Sequence, residues 1–247
     1  MPLTVAKIPA IISKIKPGVF KGAAKTVRHT VVSFGERAAQ EIISDATFNV
    51  NSPKVRQFML KFGAERIRDI DRTTRDRVRT VLVDGIDSGA AIDKIAEDIE
   101  HVFDVAEGSR AVTIARTEVG RASNFGALEG YRQVDVAEKE WLATQDSATR
   151  ETHVDADGQV VGIDEEFEVG DATCQFPGDT GDPEEDINCR CGVLPVVNDK
   201  RLRGSRFMQW KTFDKRRAPH ERAIRKEFKR GFHKQRDAVL AALAEAA

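Results

Sequence analysis

The segment that decides the organisation of the chain runs from Arg116-Thr117-Glu118 through Trp141 and Asp146…Arg150…His153 to Asn188-Cys189-Arg190-Cys191. All three cysteines of the protein and one of its two tryptophans lie between Arg116 and Pro195. Scarce residue types that gather in one segment usually mark a site or a structural clasp. We therefore interpret the rest of the chain as support for this segment.

Upstream of the segment, apolar residues recur at helical spacing, which predicts a helix over 26–46 and further helices up to about Tyr131. Ser52 is the predicted N-cap of the second helix, with Pro53 at its first position. After Gln133 the residue pattern changes and predicts short strands at 134–144, 158–162, 167–169 and 191–197. A last helix is predicted over 218–246.

These elements predict an α+β fold with a helical N-terminal half, a small strand-containing central and C-terminal domain, and a basic helical tail. The predicted parts are an N-terminal arm and helix (1–50), a helical region (51–132), a small α+β core (133–198) and the basic tail (199–247).

The net charge of −1 conceals a strong asymmetry. Residues 135–187 contain 17 acidic residues against two basic ones, and residues 200–236 contain 15 Lys or Arg against three acidic ones. The basic tail could bind nucleic-acid phosphates or fold back on the acidic segment, and the sequence leaves both open. The candidate nucleic-acid contacts are Lys211, Lys215, Arg216, Arg217, Arg222, Arg225, Lys226, Lys229 and Arg230.

The sequence also indicates the cellular compartment in which the protein resides. No apolar run approaches the roughly 20 residues that a membrane span needs, and the start does not have the pattern of a signal peptide. Cysteines 189 and 191 are too close for an easy mutual disulfide, so we expect a reducing compartment.

The polar residues of the segment allow two interpretations. In the first, Asp146 accepts from amides of its own turn and Arg150 forms a buried salt bridge with Asp146 or Glu118. In the second, Glu118, Arg150 and His153 carry out transferase or hydrolase chemistry. Glu118 and Arg121 are three apart, a spacing that favours an ion pair on one helix face.

The cysteines allow a zinc site. His153, Cys174, Cys189 and Cys191 are enough for one tetrahedral ion, which would stabilise a loop-rich segment. The alternative is a set of small buried thiols, with Arg190 paired to a carboxylate. A zinc-stabilised DNA-binding module is therefore a rival hypothesis for the whole chain.

The order of these motifs resembles a known family. Ala115-Arg116-Thr117-Glu118, Asn124, Trp141, Asp146…Arg150…His153 and Asn188-Cys189-Arg190-Cys191 are similar to the motifs of the phage Mu F-like minor head proteins, also called the SPP1-type head morphogenesis family. The likeness covers about residues 55–197, and the tail lies outside it.

The resemblance implies a non-enzymatic minor capsid protein of a tailed bacteriophage. Such a protein docks on the portal inside the head, is made in the host cytoplasm, and supports assembly, DNA packaging or delivery. Portal, major capsid or scaffold proteins and double-stranded DNA are the implied partners, with no membrane. We expect a structural clasp of Glu118, Trp141, Asp146, Arg150, His153, Asn188, Cys189 and Cys191.

Overall fold

The computed structural model describes residues 3–16, 21–61, 67–144, 146–197 and 206–246. Its helices are α1 (Ile8–Ile12), α2 (Lys21–Ile42), α3 (Pro53–Lys61), α4 (Ile67–Asp87), α5 (Ile92–Val105), α6 (Ala111–Arg132), α7 (Glu151–Asp155), α8 (Pro183–Asp186) and α9 (Arg206–Ala246). Its strands are β1 (Glu138–Leu142), β2 (Val160–Gly162), β3 (Phe167–Val169), β4 (Ala172–Cys174) and β5 (Gly192–Val196). The predicted α+β class is confirmed.

The described chain falls into two compact units. The first combines residues from 1–24, 58–112 and 225–247, and the second combines 25–57 and 113–224. Each unit is made of segments that are distant in sequence. The four consecutive parts expected from the sequence stay a prediction.

The first unit is helical. α4 and α5 are joined through Gly89, whose φ of +66° favours glycine. A side chain at Gly85 would clash with Ile95, so this glycine allows the two helices to approach closely. Arg75 donates two hydrogen bonds to the carbonyl of Ile15, at 2.9 and 2.6 Å. The buried apolar residues include Ile11, Ile15, Val78, Leu82, Ile95, Ile99, Phe103, Phe228, Phe232, Val239 and Leu243.

The second unit is built around α6. The apolar spacing of this helix predicted an amphipathic helix with one exposed face. Every residue from 117 to 131 is buried instead, so the helix is enclosed on all sides there. Beside it lies an antiparallel sheet of order β2-β1-β5, in which Trp141 is opposite Val193. The hairpin β3-β4 pairs Phe167 with Cys174.

Two predicted elements need correction. The sequence predicted no strand at Ala172–Cys174, where β4 forms, because Asp and Gly residues surround these three residues. The last helix begins at Arg206 and continues through Pro219, instead of beginning near Ala218. Phe213 and Arg217 are buried, and this packing fixes the turns before the proline. In the described residues, no helix is long and apolar enough to cross a membrane.

Candidate functional site: a buried clasp around residues 188–191

The site centres on a tight turn formed by Asn188-Cys189-Arg190-Cys191, here called the NCRC turn. Asn188 has a φ of +60°, a left-handed conformation that asparagine tolerates better than most residues. The turn ends directly before β5, so its backbone groups require partners outside the sheet.

Helix α6 supplies several of those partners. The Thr117 hydroxyl accepts from the backbone N–H of Asn188 at 3.0 Å, and the Asn124 amide donates to the carbonyl of Cys191 at 3.0 Å. A Cβ at Gly120 would lie 3.0 Å from the Cys189 carbonyl oxygen, so a small residue is needed there. The polar residues of α6 thus hold the turn.

A buried ion network lies on the same helix. Arg121 contacts Glu118 at 3.3 Å, as the spacing predicts, and also Asp186 at 3.0 Å. Its Nε donates to the Gly178 carbonyl at 2.5 Å. Asp186 in turn accepts from the Thr180 hydroxyl at 2.8 Å. Each buried charge of this network therefore has an opposite charge beside it, as buried charges require.

Arg217 of α9 closes the turn from another side. Its guanidinium donates to the carbonyls of Arg190 (2.8 Å) and Cys191 (3.1 Å). It also donates to Ser123 Oγ (2.7 Å) and Asn124 Oδ1 (2.8 Å). The residue is only 3% exposed, and burial lowers its pKa. Arg217 was predicted to contact nucleic acid, and the structure instead uses it as a buried support.

The predicted partner of Asp146 also needs correction. Asp146 accepts from the backbone N–H of Ala148, as expected, but its ion pair is with Arg190 at 2.8 Å and not with Arg150. This hydrogen bond lowers the pKa of Asp146. Arg150 donates instead to the Ile187 carbonyl at 2.6 Å. Both arginines therefore hold the NCRC turn or its approach.

His153 and two cysteines form a compact buried group. His153 Nδ1 lies 3.4 Å from Cys191 Sγ and 3.8 Å from Cys189 Sγ. Its Nε2 lies 2.9 Å from Glu185 Oε2. Hydrogen bonds from Cys189 and His153 lower the Cys191 pKa, and the hydrogen bond to Cys191 raises the Cys189 pKa.

Cys174, the fourth predicted zinc ligand, is not in that group. The three donor atoms of His153, Cys189 and Cys191 lie within 4.8 Å of one another, and Cys174 is not among them. It lies on β4, where burial raises its pKa to about 12. Its position in the hairpin, not its distance in sequence, separates it from the other thiols.

Trp141 forms the wall of this region. The side chain is fully buried and meets the His153 ring edge-on, with centroids 5.6 Å apart. Phe167 contacts it in the same way at 5.4 Å. Such aromatic contacts fix the orientation of the imidazole beside the two thiols.

The basic residues of α9 divide by exposure. Arg216, half-buried, pairs with Glu41 at 2.8 Å, and Arg230 pairs with Glu227 at 3.3 Å. Lys229 is also half-buried. The exposed members of the predicted set are Lys211, Lys215, Arg222, Arg225, Lys226 and Arg230.

Sequence reasoning missed two carboxylates of the site, Glu185 and Asp186. They lie in the acidic run Glu184-Glu185-Asp186, where composition does not distinguish a buried carboxylate from an exposed one. The proline-initiated turn α8, capped by Asp182, turns Asp186 inward. A local capping signal was therefore present, but it did not identify which acid is buried.

The fold and the site define a class of protein module: an α+β module in which the enclosed helix α6 holds the polar NCRC turn. Residues 76–194 match the model of the phage Mu protein F-like family. These residues include the whole clasp except Arg217. The predicted resemblance to this family is confirmed by the match.

Three relatives have similar sequences. The protein YqbB of Bacillus subtilis (strain 168) is 31% identical over 184 residues, which are 71% of this chain and 59% of that protein. The NAD(+)--arginine ADP-ribosyltransferase EFV of Enterococcus faecalis is 36% identical over 121 residues, 47% of this chain and 25% of that protein. The minor head protein GP7 of Bacillus phage SPP1 is 24% identical over 127 residues, 50% of this chain and 41% of that protein.

The chain thus spans 59% or less of each of these relatives. No solved structure matches it.

Proposed function

We propose that this chain is a minor head protein that docks on the portal inside the phage head and contacts the packaged DNA. The observation that carries the proposal is the match of residues 76–194 to the phage Mu protein F-like family model. The relative named minor head protein supports it. In this proposal the clasp has a structural role, keeping a docking module rigid, and the protein enters the virion after assembly in the host cytoplasm. Major capsid or scaffold proteins are further proposed partners.

The DNA contact is proposed for the exposed cations of α9. Within the predicted set these are Lys211, Lys215 and Arg222 in the second unit, and Arg225, Lys226 and Arg230 in the first. Exposed Lys and Arg side chains bind phosphates without reading sequence, as a protein that meets a whole genome requires. Arg217 is excluded from this set because it is buried.

Portal docking is tested by co-sedimentation of the full chain with assembled portal rings at low and moderate salt. Removing α9 is not a useful variant, because its residues Phe213, Phe228 and Phe232 belong to the buried cores. We expect co-migration at both salt concentrations, and binding that persists when the exposed cations of α9 are neutralised. Absence of the chain from the portal fraction at both concentrations would refute docking.

DNA binding is tested on a variant in which Lys215, Arg222 and Lys226 are all changed to Gln. The log of the binding constant for double-stranded DNA falls linearly with the log of the salt concentration. In the variant, the slope of this line should be less negative by about one for each lost phosphate contact. The control neutralises three exposed arginines elsewhere, Arg56, Arg77 and Arg79. Equal salt slopes for the two triple variants would remove α9 from the DNA contact.

We also propose that the chain is not an enzyme. The relative named as an ADP-ribosyltransferase matches over only 25% of its own length. Glu118, Arg150 and His153 are each engaged by a different partner, namely Arg121, the Ile187 carbonyl and Glu185. Incubation with labelled NAD⁺ and an arginine acceptor should transfer no label. Transfer by the wild type that disappears in a Glu118→Gln, His153→Ala variant would establish the enzyme hypothesis instead.

A further inference from the structure

The three donor atoms of His153, Cys189 and Cys191 have the spacing of metal ligands. A tetrahedral zinc ion with a Zn–S distance of about 2.3 Å and a Zn–N distance of about 2.0 Å separates its nitrogen and sulfur ligands by about 3.5 Å. The two N–S distances in the structure are 3.4 and 3.8 Å. Both N–S distances are within a few tenths of an ångström of that separation, and the three donor atoms all lie within 4.8 Å of one another.

A carboxylate on the far side of the imidazole fits the same interpretation. Glu185 Oε2 lies 2.9 Å from His153 Nε2 and is itself held by the Thr152 hydroxyl at 2.9 Å. Histidine ligands commonly give their second ring N–H to a carboxylate, which fixes the tautomer. Here Nε2 faces the Glu185 carboxylate, and Nδ1 faces the two sulfurs.

Burial and charge also agree with a bound ion. His153, Cys189 and Cys191 are 2%, 5% and 1% exposed, so two separate thiolates would be costly at this place. One divalent cation neutralises two thiolates.

We propose that His153 Nδ1, Cys189 Sγ and Cys191 Sγ bind one Zn²⁺ ion, with water as the fourth ligand. Two thiolates and an imidazole suit zinc better than the harder divalent ions. The ion ties α7 to the NCRC turn and stabilises a region of short strands and turns. Cys174 is outside the site, so the ligand set differs from the four residues that the sequence suggested.

The test measures metal in the purified full chain, kept reduced and then equilibrated with Zn²⁺. We expect one zinc per chain by plasma mass spectrometry, and a thiolate-to-metal absorption band when Co²⁺ replaces zinc. Cys189→Ser and His153→Ala should lose the metal. Cys174→Ala, a buried thiol outside the group, is the matched control and should keep it.

The positioning role of Glu185 has its own readout. Glu185→Gln should weaken zinc affinity about 10–100-fold in competition with a chromophoric chelator, with the Co²⁺ spectrum retained. If the ligand variants fail to fold, alkylation of wild-type thiols replaces them: Zn²⁺ should protect Cys189 and Cys191. Unchanged alkylation of both cysteines with zinc present, or metal loss in Cys174→Ala as large as in Cys189→Ser, would overturn the proposal.

Discussion

Two adjacent arginines of α9 give the sharpest test of the site. Arg217 is 3% exposed and donates to four oxygens, on Ser123, Asn124, Arg190 and Cys191. Its neighbour Arg216 is half-buried and pairs with one carboxylate, that of Glu41. The sequence does not distinguish the two residues, and the structure assigns them opposite importance for stability.

The expected magnitudes follow from these partners. Arg217→Ala removes a donor from four oxygens, of which the Cys191 carbonyl keeps a second donor in the Asn124 amide. A buried acceptor without a partner costs about 1–3 kcal/mol. Water entering the vacated space would restore part of this loss, so we expect the free energy of unfolding to fall by about 3–5 kcal/mol. A partly exposed ion pair contributes about 0–1 kcal/mol, so Arg216→Ala should lower stability by no more than that.

The measurement is guanidinium unfolding followed by fluorescence in a Trp210→Phe background, so that Trp141 reports the unit that contains both arginines. Using one probe avoids treating two units as a single transition. Equal destabilisation by the two alanine variants, within about 0.5 kcal/mol, would refute the buried-support interpretation. A stable Arg217→Ala variant with weakened DNA binding would restore the interpretation from sequence.

Three further predictions concern the same unit. Trp141→Ala should lower the free energy of unfolding by about 3–5 kcal/mol, because the ring is fully buried, and a loss below about 1 kcal/mol in denaturant titration would contradict this. Burial lowers the Lys139 pKa to about 8, so the folded chain binds fewer protons than the unfolded chain between that pH and about 10.5. Wild-type stability should therefore rise over this range relative to Lys139→Met, and parallel pH profiles would disprove it. Gly130→Ala would place a Cβ 2.3 Å from the Gly35 carbonyl oxygen and should cost about 1–3 kcal/mol, whereas Gly108→Ala, with nothing within 4 Å, should be neutral in thermal unfolding.

Local signals in the sequence predicted most of the helices. The Ser52 cap appears where expected, with its oxygen 3.3 Å from the N–H of Val55, and the Glu118–Arg121 pair follows from helical spacing. Such features depend on residues three or four positions apart. Strand β4 was missed because three residues carry too little pattern to outweigh the surrounding turn formers.

Partners that are distant in sequence were predicted poorly, for a physical reason. Arg150 and Arg190 are equal candidates for Asp146 by charge, and only the path of the NCRC turn decides that Arg190 is closer. Charge composition grouped Arg217 with the exposed cations of the tail. Residues of one helix point in different directions around its axis, so neighbouring cations can be buried or exposed. Composition therefore predicted the kind of residue in the site but not its partner.

The enclosed helix explains why separate motifs form one structure. Thr117, Arg121 and Asn124 are buried within α6, and partners on the helix itself satisfy only part of their hydrogen-bonding groups. The backbone of the NCRC turn and the carboxylate of Asp186 supply further partners, and the turn's own orphan groups are satisfied at the same time. Replacing one side by apolar residues would leave the other unsatisfied. The Arg-Thr-Glu helix and the Asn-Cys-Arg-Cys turn are therefore two halves of a single buried network.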